Sequence, residues 1–89
     1  MKGETRNTEI IHGNYIKSRK SKKGWAIVIN PPHTRIDNFH GYTHIHFSPK
    51  GKRHNIKLEN FDEIYEIIRK HLKKNKKLIK KELLGELSW

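Results

Sequence analysis

From Arg35 to His46 the chain carries most of the residues able to do chemistry. Arg35, Asp37, Asn38, His40, Tyr42, His44 and His46 fall within twelve positions, and five of the seven histidines lie between His33 and His54. Imidazole changes charge near neutral pH and is also the commonest metal ligand, so such a cluster fits proton transfer or cation binding. An aspartate beside a histidine fixes its tautomer and stabilises the imidazolium. Two imidazoles and a guanidinium suffice for metal-free cleavage of RNA. One takes the 2′-hydroxyl proton, one protonates the leaving oxygen, and Arg35 stabilises the charge on phosphorus. The candidate catalytic set is therefore His44, His46, His40, Arg35, Asp37 and Tyr42, with His44 and His46 as the acid–base pair and no cofactor required.

The same spacing admits a divalent metal. His44-x-His46 puts two rings on one face of a strand, and Asp37 or His40 could complete a site with an open position. It also fits the His-hydrophobe-His core of rolling-circle nucleases, in which a helical tyrosine attacks DNA. Tyr65 is the sole helical candidate, and it falls in an apolar stripe. An ordinary solvated pair of histidines is the plain alternative. His54 reads as a packed core histidine, and His12 and His71 as surface.

The elements that must position these groups can be read from the pattern. Residues 1–9 are polar and expected to fray. Ile10 to Ile16 suits a first strand interrupted by His12-Gly13-Asn14, and residues 17–24 suit a basic loop. Trp25-Ala26-Ile27-Val28-Ile29 is a short β-branched run, expected to be a central strand ended by Pro31 and Pro32. Residues 42–47 alternate: Thr43, Ile45 and Phe47 face one way, and Tyr42, His44 and His46 the other. Residues 48–51 suit a type I turn, with a returning strand over 53–58. Asn60 can cap a helix over 60–74 in which Phe61, Ile64, Tyr65, Ile68 and Leu72 make one stripe. Leu78, Ile79, Leu83 and Leu84 predict a second, basic helix over 76–85, ended by Gly85. The expected fold is α+β in a single domain 1–89: a small antiparallel sheet over 10–58, one long amphipathic helix and a short C-terminal basic helix.

Composition narrows the partner. The 89 residues carry a formal net charge of +11, with 33% hydrophobic and 33% charged residues. Such a surplus repels itself unless an anion offsets it, and nucleic acid is the leading expected partner, with an acidic antitoxin-like protein or membrane headgroups next. Lys17, Arg19, Lys20, Lys22 and Lys23 precede Trp25, and Lys50, Lys52 and Arg53 mark the hairpin tip. These residues are expected to grip phosphates without reading sequence, with Trp25 available for base stacking. There is no cysteine, which excludes disulfides and thiolate metal sites. No stretch approaches the ~18 apolar residues of a membrane span and no signal peptide is visible, so a cytoplasmic location is expected.

The string Arg35-x-Asp37-Asn38-x-His40-Gly41-x-x-His44-x-His46 resembles the central motif of the TumE-like family of small toxins. There an Arg-x-Asp-Asn-x-His-Gly segment leads into a His-x-His strand, followed by a hairpin and an amphipathic helix. The resemblance covers roughly residues 25–72. It implies a toxin encoded beside a DNA-binding antitoxin and acting on RNA or translation, with Arg35, Asp37, Asn38, His40, His44 and His46 as the site. A homodimer is a further expectation.

Overall fold

A computed structural model describes residues 4–47 and 51–87. The expected turn at 48–51 and Lys50 therefore fall wholly or in part outside the described residues. Among the described residues the chain is α+β, with six strands in sequence order followed by two helices. The strands are β1 (Thr5–Ile11), β2 (Asn14–Ser21), β3 (Gly24–Asn30), β4 (Thr34–Asp37), β5 (His44–Phe47) and β6 (Arg53–Asn55). The helices are α1 (Phe61–Asn75) and α2 (Lys80–Leu87). Every neighbouring pair of strands is antiparallel, so the sheet is one continuous meander.

Two expectations at the N-terminal end are corrected. Residues 5–9 are part of strand β1 and do not fray as a tail, and residues 17–21, expected within a basic loop over 17–24, belong to strand β2. The cause is His12-Gly13, which does not interrupt one strand but turns the chain between two. His12 has φ 47° and Gly13 φ 83°, the left-handed pair that a two-residue hairpin needs to match strand twist. Once that hairpin closes, the alternation of Tyr15, Ile16, Lys17, Ser18 and Arg19 becomes a strand pattern, with Ile16 fully buried and Lys17 exposed. At the far end, α2 runs through Gly85 to Leu87, because Leu83 and Leu87, one turn apart, both enter the core.

Cross-strand register explains the core. Directly paired residues project from the same face of a sheet. Ile16, Ile29, Thr34 and Phe47 form one such row, and Ile27, Ile36 and Ile45 another. Both rows are buried together with Ile64, Ile68 and Leu72 of α1 and with Leu78, Leu83 and Leu87. Asn60 caps α1 by accepting from the amides of Asp62 (2.9 Å) and Glu63 (3.2 Å), and Lys76 closes its end in the left-handed conformation. Truncating any fully buried isoleucine of these rows would cost about 2–5 kcal/mol.

Trp25 also belongs to the helix side. It is 7% exposed and meets Phe61 edge-on at 5.4 Å. It is therefore core, and its expected role in stacking on bases is withdrawn. Its amide donates to Asn38 Oδ1 at 2.8 Å, and the Asn38 amide donates back to the Trp25 carbonyl at 3.3 Å. Asn38 is thus the clasp that holds the end of β4 to the start of β3. Gly24 is confined beside it: its φ is +149°, and a Cβ there would stand 2.5 Å from Asn38 Oδ1.

α1 is tied to the first strand by charge and hydrogen bonding. The Tyr65 hydroxyl donates to Glu9 Oε1 at 3.0 Å, and Arg69 pairs with Glu9 at 3.2 Å. Burial, with the Glu9 hydrogen bond and charge, pushes the Tyr65 phenol up to about 12. A phenol whose pKa is raised on folding contributes stability that is complete below its unfolded value of about 10 and lost as pH rises from about 10 through 12. Chemical denaturation is therefore expected to show the wild type losing its advantage over Tyr65→Phe across that range. The difference at neutral pH should be about 1 kcal/mol. Parallel pH profiles for the two proteins would exclude this contribution.

Candidate functional site

The face of the sheet away from the helices carries the polar chemistry, and register sorts it into two rows. One runs Thr8, Lys17, Val28, Arg35, His46 and Arg53 across all six strands. The other runs Arg6, Arg19, Ala26, Asp37, His44 and Asn55. His46 thus lies between two arginines, Arg35 on β4 and Arg53 on β6, each its direct cross-strand partner. Toward β1 the rows border a groove of about 320 Å³, walled by Arg6, Lys17, Arg19 and Arg35 and floored by Ala26 and Val28. Glu4 offsets part of its charge, pairing with Arg6 at 3.2 Å and Arg19 at 3.6 Å.

At the other end the β4–β5 connection folds back over the second row. The His40 and His44 rings stack at 5.5 Å, the Tyr42 and His44 rings meet at 5.6 Å, and Arg19 lies 5.1 Å from the Phe39 ring. Beneath this cover Asp37 is 2% exposed and His44 1%. The expected projection of His44 into solvent is therefore corrected: its face is the expected one, but the connection encloses it. His40 and Tyr42 remain exposed, and His46 is half-buried.

Asp37 is the hub. Arg35 Nε donates to its Oδ2 at 2.6 Å, His44 Nε2 lies 3.5 Å from its Oδ1, and the Phe39 amide donates to Oδ1 at 3.4 Å. Burial is the largest single influence on this carboxyl and works to raise its pKa. The Arg35 hydrogen bond, the His44 and Arg35 charges and the Phe39 amide together outweigh it, so Asp37 titrates below the usual carboxylate value. Burial pushes the His44 imidazole below its ordinary value; Asp37 opposes this, and the charges of Arg53, His40 and Arg35 add to it. His44 is thus held as a neutral ring beside an ionised carboxylate.

The structure brings together Arg35, Asp37, His40, Tyr42, His44 and His46 and leaves other expected residues elsewhere. Lys17, Arg19 and Arg53 lie on the open face, but Lys20 does not: strand alternation turns it to the helix side, with Nζ 4.7 Å from the Phe61 ring. Lys22, Lys23 and Lys52 are exposed beside the strands. His33 lines an adjoining hollow with Tyr15 and Asn30, which shares Lys17 and Val28 with the groove. Tyr65 bonds Glu9 on the helix side, with the sheet between it and His46, which excludes the rolling-circle arrangement. Arg6, Ala26 and Val28 were not anticipated as part of the site. The signal for Arg6 was the two-residue turn at His12-Gly13, which implies a partner strand before it.

A divalent metal has one group of potential ligands among the described residues: Asp37, His40 and His44, whose donor atoms lie within 4.8 Å of one another. His46 is not part of that group. No helix among the described residues is long and apolar enough to cross a membrane. No family model, curated protein or solved structure matches the chain.

Proposed function

We propose that this protein binds single-stranded RNA across the open face of its sheet and cleaves it beside His46, as the toxin of a toxin–antitoxin pair. The observation that carries the reading is the cross-strand row in which Lys17, Arg35, His46 and Arg53 share one face. An open sheet face with separated cations suits an unpaired strand, whose phosphates meet the arginines while its bases lie over the Ala26–Val28 floor. The net charge of +11 supports a polyanionic substrate and an acidic antitoxin to hold the protein when idle. The resemblance at residues 35–46 supports the toxin assignment.

The chemistry needs no metal. His46 takes the proton of a ribose 2′-hydroxyl as its oxygen attacks the adjacent phosphorus. Arg35 and Arg53 balance the charge on the phosphoryl oxygens, and the bond to the 5′-oxygen breaks as His40 protonates it. The products are a 2′,3′-cyclic phosphate and a 5′-hydroxyl. His44 is too enclosed to touch substrate. It stacks under His40 and, with Asp37, is a positioning residue.

End-labelled RNA incubated in EDTA tests this directly. The wild type is expected to leave cyclic-phosphate ends, and His46→Ala to cut about 1,000-fold more slowly while binding the same RNA. Binding without cleavage by either protein would reduce the reading to a non-catalytic RNA-binding module, which the enclosure of His44 also favours.

A further inference from the structure

We propose that Asp37, His40 and His44 form a binding site for one borderline divalent cation of the zinc type. Their donor atoms already lie within 4.8 Å of one another. Around a tetrahedral zinc, with bonds of about 2.0–2.2 Å, ligand atoms stand about 3.4 Å apart. The remaining closure is a side-chain adjustment, and the ligand best able to make it is the exposed His40, whose ring already stacks on His44 at 5.5 Å. A second observation points the same way. The His44 side chain is 1% exposed, and its Nε2 already stands 3.5 Å from Asp37 Oδ1, the carboxylate oxygen that Arg35 does not bind, so two of the three ligands meet inside the fold.

Two imidazoles and one carboxylate select the ion. Magnesium and calcium prefer all-oxygen shells, whereas zinc and cobalt accept nitrogen and leave a fourth position for water. Arg35 supplies the outer contact such sites use, fixing the carboxylate through Oδ2 at 2.6 Å. The nearby guanidiniums of Arg35 and Arg53 oppose a cation, so the site is a modest binder that depends on all three ligands. The ion would pin the β4–β5 connection to the strands on either side of it. It would also occupy His40, the proton donor of the proposed cleavage, so bound metal would oppose that reaction. The site itself rests only on the protein.

Cobalt(II) is the probe, added to the protein alone without RNA. The expected result is one saturating equivalent with visible d–d bands of tetrahedral strength, displaced by zinc and untouched by magnesium. His40 is exposed, so His40→Ala should still fold and unfold cooperatively with only a small loss of stability, yet bind cobalt about 100-fold more weakly. His12→Ala and His33→Ala, which alter other surface histidines, should bind normally. Arg35→Lys should weaken binding about tenfold by loosening Asp37. Failure to saturate, or bands that persist in His40→Ala, would overturn the site whether or not the protein cleaves RNA.

Discussion

Replacing Lys17, Arg19 and Arg53 together by alanine is expected to weaken RNA binding about 100-fold at ~0.05 M salt and to flatten its salt dependence. The three cations stand on different strands but on one face, in the two rows that frame the groove and His46. Each contact to a phosphate of a single strand contributes about 0.7 to the slope of log K against log salt, so losing three should reduce the slope by about 2. None of the three bonds Asp37, so the hub should stay intact. The control is Lys20, a residue of the same strand and charge that alternation turns toward Phe61. Lys20→Ala is expected to bind almost as the wild type does, apart from a small loss of general attraction. Equal losses on both sides of the sheet would mean that total charge, not the open face, grips the RNA. That result would remove the geometric support for the proposed function.

The second large effect falls on stability. Asp37→Ala is expected to cost about 3 kcal/mol and to lower the melting temperature by roughly 15 °C. The reason is the company Asp37 keeps. Removing it leaves Arg35 Nε and the enclosed His44 Nε2 without their carboxylate, and the second of these cannot turn to water. Arg35 is 38% exposed and can be resolvated, so the cost stays below that of breaking a fully buried pair. Asp37→Asn keeps the volume and one acceptor and should fall between.

The same hub predicts acid sensitivity. Asp37 titrates lower in the folded chain than in the unfolded one, so its contribution is present above about pH 4 and lost as pH falls through its folded value. His44 also titrates low when folded. The unfolded chain therefore takes its proton first, and stability declines as pH drops below about 6.5. Denaturant melts in EDTA should show wild-type stability falling in two stages, below about 6.5 and again below about 4. In Asp37→Ala the lower stage should disappear. Equal stability of the two proteins at pH 7 would mean that Asp37 does not hold this end of the sheet.

The largest difference between expectation and structure has a geometric cause. Period-two alternation assigns faces correctly wherever a strand is read as a strand. Ile45 and Phe47 go to the helices, His44 and His46 to the opposite side, and the stripe of α1 buries Ile64, Ile68 and Leu72 as its spacing requires. Alternation does not say what covers a face. Tyr42 and Thr43, which alternation reads as the start of the strand, instead belong with Phe39 and His40 to the connection, and only its return over Asp37 and His44 encloses those two side chains.

By itself, then, the sequence determined the α+β class, the strong positive charge, the grouping of Arg35 through His46 and the faces of β5 and α1. These follow from composition and from periods of 2 and 3.6 residues, both local properties of the chain. Tertiary structure decided the rest. The turn at His12-Gly13 made two N-terminal strands and sent Arg6 and Arg19 to the open face with Arg35, while the helix-side packing took Trp25 and Lys20 away from it. The register of β3 to β6 set His46 between Arg35 and Arg53 and Asp37 against His44. Those pairings join residues on separate strands. They are fixed by which isoleucines share a row beneath the helices, and that is a property of the assembled core.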